Sequence, residues 1–432
     1  MMLYRQITDY CMQDKIGVHG LSREEVSGLI SSLKSGFEKI KSGGFTEANP
    51  IFNITARTDD FESMETLAEG IRKRFNHVLV IGSGGSSLSG ATLLAFAPSA
   101  APSFDFLDNI DPDMLDDICA RIQIENTCFI VISKSGTTLE TLAQTYAVIG
   151  RIKKTIGRTA LPAQMIIITE PEAHEGQNPL RQLAREYDVR VLDHETDIGG
   201  RFAIFTNVGL LPAVIAGIDI KALRSGAQKV LTQLAEASGP EEFAPAIGAT
   251  IQYGFYQRSR NLSIILPYSQ RLSGFSAWYR QCWAESLGKD GKGTTPICSM
   301  GSTDQHSQLQ LYLSGPKDKL FHMITLKREG TGDEIEVPKN RPEMDYLNGK
   351  TLGDVMAAQQ KATFETLADN RCPVRLIEMD KLTEEHFGAL IMHFTLEIMF
   401  MSFLFEINPF DQPAVEESKK LTKKYLIAGN DQ

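Results

Sequence analysis

The stretch FIVISKSGTTLET, residues 129–141, runs four apolar residues straight into a cluster of hydroxyls around one lysine, Lys134. A short apolar run rich in Val and Ile that stops at Ser, Gly and Thr has the pattern of a strand buried on both faces, followed by a loop. The same pattern recurs in HVLVIGSGG (77–85), AQMIIITE (163–170) and VRVLDH (189–194), with helix-length segments between them. Parallel strands covered by helices on both faces read this way. A second series follows in LSIILPYS (262–269), LFHMITLK (320–327) and PVRLIEM (373–379), then a long apolar helix over about 384–405 and a charged terminal helix over 415–426. The fold class expected is therefore α/β, with two doubly wound parallel sheets in three αβα layers and helical extensions at both ends. The expected division is an irregular or helical segment over 1–50 packing on the second lobe, a first α/β domain over 51–194, and a second over 195–432.

Length and composition agree with two lobes. At 432 residues the chain exceeds one ordinary domain, and 42% hydrophobic with 23% charged residues is a globular composition. No basic stretch followed by an apolar core opens the sequence, so no secretory signal is visible. The most apolar stretch, LIMHFTLEIMFMSFLF (390–405), is interrupted by His393 and Glu397 and reads as a buried helix rather than a membrane span. Six scattered cysteines without a C-x-x-C pair suit a reducing compartment, with the cytoplasm as the expected location. A net charge of -10 argues against nucleic acid as a partner, since its backbone demands a surplus of Lys and Arg.

In open α/β sheets ligands sit outside the carboxyl ends of the strands. Two loops in that position stand out. VIGSGGSSLSG (80–90) offers Gly82, Gly84 and Gly85 for close approach of backbone N–H groups to an anion, then Ser86 and Ser87 at the start of a helix whose positive dipole end faces it. The opening stretch adds the hydroxyls of Ser133, Ser135, Thr137 and Thr138. Together they make a phosphate cradle. A dinucleotide fingerprint fails because Ser87 stands where the last Gly belongs, although Asp105 lies at a tolerable distance for a ribose contact; a P-loop fails because position 91 is Ala91 rather than Lys.

Further along, SGFSAWYRQCWAESLGKDGKG (273–293) has an apolar stripe of Phe275, Trp278, Tyr279, Cys282 and Trp283, with Gln281 and Glu285 one turn apart on its flank. A carboxylate half-hidden against aromatics is a general-base candidate, and a solvated helix glutamate is the plain alternative. Arg201 follows a Gly pair in GGRFAIFTNVGLLPAVIAGID (199–219), where it could face an interior anion or cap a turn. His306 lies in the polar loop MGSTDQHSQLQLY (300–312), and Lys419 in NPFDQPAVEESKK (408–420), most simply a solvated helix end.

These segments, in this order and spread from about residue 80 to 425, resemble the phosphoglucose isomerase family in its compact bacterial form. The resemblance implies two sugar-isomerase domains and an aldose–ketose isomerisation of glucose 6-phosphate and fructose 6-phosphate. Glu285 would then move a proton between C2 and C1, and Arg201 would stabilise the enediolate. His306 and Lys419 would assist ring opening, and Gln281 would bind substrate near the base. Gly85, Ser86, Ser133, Lys134, Ser135 and Thr138 would hold the phosphate. A homodimer is implied, with His306 acting across the interface, and no cofactor or metal; no H-E-x-x-H or similar ligand spacing occurs. The family's first loop usually reads G-x-G-G-S-x-L-G, and Ser89 replaces its last Gly, for which small packing changes are expected. Two alternatives stay open: an isomerase that also accepts mannose 6-phosphate, and a noncatalytic sugar-phosphate sensor. Against the sensor, the first 50 residues lack a basic recognition helix.

Overall fold

The computed structural model describes residues 3–172, 174 and 176–428; the extreme ends of the first and last expected segments, 1–2 and 429–432, lie outside them. In chain order the elements used below are β1 (Arg5–Ile7), β2 (His77–Ile81), α1 (Gly85–Leu93), β3 (Ser103–Leu107), β4 (Thr127–Ile132), α2 (Leu139–Thr155), β5 (Met165–Thr169), α3 (Pro179–Tyr187) and β6 (Arg190–Asp193). There follow α4 (Ala244–Gln257), β7 (Leu262–Pro267), α5 (Ser273–Leu287), β8 (Thr295–Cys298), β9 (Lys319–Leu326), α6 (Leu352–Asp369), β10 (Val374–Met379), α7 (Glu384–Phe405) and α8 (Glu416–Ala428).

The strands form two five-stranded sheets, ordered β3-β2-β4-β5-β6 and β1-β10-β9-β7-β8. The first is parallel throughout. The second departs from the expected all-parallel form: β7, β8, β9 and β10 are parallel, but β1 pairs antiparallel with β10. The opening segment, expected to be irregular or helical, thus contributes an edge strand.

Alternation of side chains along each strand sends successive residues to opposite faces. Val78 and Val80 of β2 and Ile130 and Ile132 of β4 enter the large central core, while Leu79, Ile81, Phe129 and Val131 enter a separate core on the outer face. In the second sheet Ile265, Ile324 and Ile377 join the same central core, and Ile264, Phe321 and Met323 face the other way. One core is therefore shared between the sheets. Helix α7 runs through it with 18 of its residues buried, which is why a helix long and apolar enough to span a membrane is a core element here.

Each sheet has one point where the strand order reverses. β2 is followed on one side by β3 and flanked on the other by β4; β7 is likewise flanked by β8 and β9. The crevices at the carboxyl ends of β2/β4 and of β7/β9 are the places this topology offers to ligands.

A buried polar cluster ties β1 to this frame. Arg375 makes a paired contact with Glu397, at 2.6 and 2.5 Å, and both side chains are fully buried. Gln6 of β1 accepts from Arg375 Nε at 2.8 Å, Gln252 donates to Glu397 at 2.5 Å, and Tyr4 meets His393 at 2.8 Å. Burial alone would raise the Glu397 carboxyl, but the Arg375 charge together with the hydrogen bonds from His393 and Arg375 holds the group well below its ordinary value. His322, also fully buried, has no hydrogen-bond partner on either ring nitrogen. Burial first, then the nearby Arg375 charge, lowers it to about 3.

A histidine kept neutral in the fold but protonated in the unfolded chain costs stability as pH falls below about 6.5. The unfolded state then binds the extra proton, so the loss grows between about 6.5 and 3. Between pH 7 and 5 this one residue should cost about 2 kcal/mol. Urea denaturation of wild type and His322→Phe at both pH values checks this: the variant should lose correspondingly less stability on acidification, and equal losses would remove His322 as the cause.

Candidate active site

The first crevice is built as the glycines require. Gly84 takes φ of +60°, and a Cβ there would lie 2.9 Å from Gln281 Nε2. At Gly85 a Cβ would lie 2.2 Å from the Gly200 carbonyl oxygen and 2.7 Å from the Arg201 nitrogen. The first loop is thus pressed against the two segments that carry Gln281 and Arg201, and only glycine permits the approach. Helix α1 begins at Gly85 with no side-chain cap, and the N–H groups of Ser86, Ser87 and Leu88 turn back to the carbonyls of Ser83 and Gly84, so the positive end of the helix faces the crevice. Ser86 is half-buried at this end, whereas Ser87 is fully buried and donates to Asp108, at 3.3 Å. Ser89 is also buried and returns its hydroxyl to the Gly85 carbonyl at 2.6 Å, so the exchange from Gly leaves no unpaired group. Asp105, weighed as a ribose ligand, instead pairs with Arg121 and lies 3.4 Å from His77.

On the other side of the crevice the hydroxyls pair among themselves. Ser133 and Thr138 lie 3.0 Å apart, and Ser135 and Thr137 2.8 Å apart. Ser133 is buried, Thr138 half-buried, and Ser135 exposed. Thr138 precedes α2 without its side chain capping the helix, so its hydroxyl is turned to Ser133 instead. Lys134 Nζ donates to the Thr196 carbonyl at 2.5 Å, while its own carbonyl accepts from Glu170 N and Thr169 Oγ1, both at 3.0 Å. Asn178, which caps α3, packs under Gly136 so closely that a Cβ would fall 1.8 Å from its Oδ1. Asn178 and Thr169 thus form the floor of this loop. Sequence reading passed over both, though an Asn before Pro179 is a helix-start signal.

The second part of the site centres on Arg201, which is buried to 4% exposure. Its Nε donates to Ser286 Oγ at 2.9 Å; Nη1 donates to Glu285 at 3.2 Å and to Gln412 Oε1 at 2.8 Å; Nη2 donates to the carbonyls of Pro409 at 2.5 Å and Asp411 at 3.2 Å. Burial lowers the guanidinium below its ordinary value, and the charge of Glu285 is the largest influence opposing that. Gln281 donates to the other oxygen of Glu285 at 2.9 Å, as expected for neighbours one turn apart. Glu285 keeps 36% of its side chain exposed, so its carboxylate has one flank open. The aromatics expected to cover it face inward: the Trp278 N–H and the Cys282 thiol both donate to the Arg201 carbonyl, at 3.2 and 3.0 Å. Burial raises the Cys282 thiol well above its usual range, so it stays a thiol. What holds Glu285 is Arg201 and Gln281.

Two expected residues stand apart from this group. His306 is exposed, and among the described residues its ring makes no hydrogen bond. Its loop is nevertheless fixed: Asp304 accepts from Ser299, Met300 N and Ser307, and Gln305 donates to Tyr268 at 2.5 Å. Lys419 lies on the exposed helix α8 and pairs with Glu416 at 2.6 Å. It makes no contact with Glu285; its ammonium instead meets this i,i+3 partner on its own solvent-facing helix. The segment leading into that helix is nonetheless anchored at the site through Pro409, Asp411 and Gln412, and by Lys289, whose ammonium lies 2.8 Å from the Asp411 carboxylate. Gln412 stands inside a quoted motif but was not singled out there; a polar residue between Asp411 and Pro413 carries no signal of its long-range partner.

Hydroxyls and the positive end of a helix at a switch point, joined through Gly84 and Gly85 to an Arg–Glu pair, define an aldose–ketose isomerase of the sugar-isomerase fold. Comparison with known proteins narrows the class. The family model for phosphoglucose isomerase matches residues 38–316. A glucose-6-phosphate isomerase of Rubrobacter xylanophilus is 32% identical over 422 residues, covering 93% of this chain and 94% of that protein. Among solved structures, a hypothetical protein of Thermus thermophilus superposes with a TM-score of 0.85 at 28% identity, covering 98% and 99% of the two chains. A glucose-6-phosphate isomerase of Chlamydia trachomatis shares the fold with a TM-score of 0.73 at 21% identity, covering 88% and 78%. The chain belongs to the phosphoglucose isomerase family.

The packing at Gly85 yields a direct test. Gly85→Ala must push the first loop away from Gly200 and Arg201, an overpacking expected to cost about 1–3 kcal/mol. Thermal unfolding should show that loss together with at least a tenfold fall in sugar-phosphate turnover. Unchanged turnover would separate the loop from the Arg201 site.

Proposed function

We propose that this chain interconverts glucose 6-phosphate and fructose 6-phosphate through an enediolate. The observation that carries the reading is the Glu285 carboxylate, held between Arg201 Nη1 and Gln281 Nε2 with one flank open and the first phosphate loop packed against both partners. The phosphate is bound by Ser86, Ser133, Ser135 and Thr138 with the backbone at Gly85 and Lys134, which fixes the sugar chain relative to Glu285. Glu285 takes a proton from one of C1 and C2 and returns it to the other. The negative charge that develops on oxygen in between lies beside the Arg201 guanidinium, whose five contacts hold it in place before the reaction begins. Preorganisation matters here because a donor already fixed needs no reorganisation as charge develops.

His306 and Lys419 act in ring opening, His306 from the second subunit of a homodimer. Its exposed ring on a loop pinned by Asp304 and Gln305 supports action across an interface. Lys419 stands seven residues beyond Gln412, which bonds Arg201 directly. The two catalytic lobes are residues 51–194 and 195–432, with 1–50 joined to the second through β1, and the cytoplasm is the proposed location.

Purified protein given fructose 6-phosphate in chelator-containing buffer should form glucose 6-phosphate, with any mannose 6-phosphate resolved alongside. Glu285→Gln, nearly isosteric, should retain substrate binding and lose at least a thousandfold in kcat, a cost of about 4 kcal/mol in the barrier. Near-normal turnover in that variant would exclude Glu285 as the base, and binding without conversion in wild type would leave a sensor.

Mixing addresses the shared site. His306→Ala and Glu285→Gln proteins, each nearly inactive, should recover about a quarter of wild-type activity after equal mixing and subunit exchange, since half the dimers then carry one intact site of two. Demonstrated exchange without recovery would place His306 elsewhere.

A further inference from the structure

The loop after β4 owes its shape to a residue outside it. Asn178 is buried to 3% exposure and uses both polar atoms of its side chain. Its Oδ1 accepts from the N–H groups of Leu180 and Arg181, at 3.0 and 3.3 Å, which caps α3. Its Nδ2 donates to Thr169 Oγ1 at 2.8 Å and to the Glu170 carbonyl at 3.2 Å. These partners fix which end of the amide is which, because only the oxygen can face two N–H groups. The Asn178 N–H donates in turn to Glu172 at 2.9 Å, so its backbone is held as well.

Thr169, the last residue of β5 and fully buried, passes this order on. Because its Oγ1 accepts from Asn178, its own proton goes to the Lys134 carbonyl at 3.0 Å, where the Glu170 N–H also donates. Two donors occupy both lone pairs of that carbonyl and fix the plane of its peptide. In a trans peptide the carbonyl and the following N–H point in opposite directions. The Lys134 carbonyl is drawn toward Thr169 and Glu170, so the Ser135 N–H is turned to the open side of the loop, where Ser135 is exposed. Among the described residues that N–H has no partner. Gly136, with φ of +68° and Asn178 Oδ1 pressed against it, keeps the loop from settling lower.

We propose that Asn178 and Thr169 are positioning residues of the phosphate cradle: by fixing the Lys134 carbonyl they aim the Ser135 N–H at the phosphate. They set how tightly the phosphate is held and leave proton transfer at Glu285 unaffected. The inference rests on this loop being the phosphate site, as proposed above. Hydrogen bonds to a phosphate are charge-assisted and weaken steeply when misaligned, so a tilt of one peptide is felt as lost affinity. Capping of α3 does not account for the arrangement, since a serine would cap that helix without reaching Thr169.

Variants of both residues test this, read by the Kd of inorganic phosphate in a phosphorus NMR titration of the intact protein and by steady-state kinetics on fructose 6-phosphate. Thr169→Val keeps the shape of the side chain and removes the proton from the Lys134 carbonyl, whereas Thr169→Ser keeps the hydroxyl. Asn178→Ser keeps a cap for α3 and loses the donor to Thr169, and it carries the test if Thr169→Val does not fold. Thr169→Val and Asn178→Ser should each raise the phosphate Kd and the KM together by about tenfold, with kcat within about threefold. Thr169→Ser should stay within about twofold of wild type in all three. Unchanged phosphate affinity in Thr169→Val and Asn178→Ser, with Ser133→Ala weakened, would overturn the relay and leave the cradle standing. So would a Thr169→Ser protein as defective as Thr169→Val, or kcat falling in step with the rise in KM. Phosphate affinity indifferent to Ser133→Ala as well would overturn the cradle and the relay with it.

Discussion

A guanidinium has five N–H groups and one charge, and burying it is tolerable only if nearly all are met. Arg201 meets that condition with partners from distant parts of the chain: Glu285 and Ser286 from α5, and Pro409, Asp411 and Gln412 from the segment before α8. Its own carbonyl takes two more donors from α5. Removing any partner exposes an uncompensated charge to the core, so the partners must arrive together. Glu285, Arg201 and the C-terminal strap are therefore one cooperative unit, and the first glycine loop joins it through the absence of side chains at Gly84 and Gly85.

The second buried charge group works the same way for the scaffold. Arg375, Glu397, His393, Gln252, Gln6 and Tyr4 come from β10, α7, α4 and the N-terminal edge strand and its flank, and they fix how those elements sit on one another. Purely apolar packing along α7 would permit sliding; a paired guanidinium and carboxylate permit one register. The network also reaches helix α5, since Gln252 accepts from Ser263, whose hydroxyl lies 2.8 Å from the Tyr279 hydroxyl.

Much of this was legible in the residues. Strands buried on both faces announce themselves as unbroken Val/Ile runs, and the loops that follow them carry the glycines and hydroxyls of the proposed cradle. The i,i+4 contact of Gln281 with Glu285 follows from helix geometry. What escaped depends on partners far away in sequence. β1 has three residues, Arg5–Ile7, too few for any periodicity, and is a strand only because β10 offers an edge. β3 and β8 are short and mixed in polarity. Asn178 and Gln412 are ordinary polar residues until Gly136 and Arg201 are set beside them. The surroundings of Glu285 differ from expectation because an aromatic stripe on its helix does not reveal which side the carboxylate meets; tertiary packing took the aromatics inward and gave Glu285 polar company.

The His306 loop completes the physical picture. Asp304 accepts three hydrogen bonds within the loop and, although burial would raise it, those bonds together hold its carboxyl below the ordinary value. Gly301 lies flat against the Tyr268 ring, where a Cβ would come within 2.4 Å, and Gln305 bonds the hydroxyl of that same tyrosine. Such anchoring costs conformational entropy that an idle surface histidine would not need to lose. The imidazole it presents finds no partner among the described residues of its own chain. A rigid support beneath this imidazole suits the proposed action of His306 on a neighbouring subunit, because the aim must be set before the partner arrives.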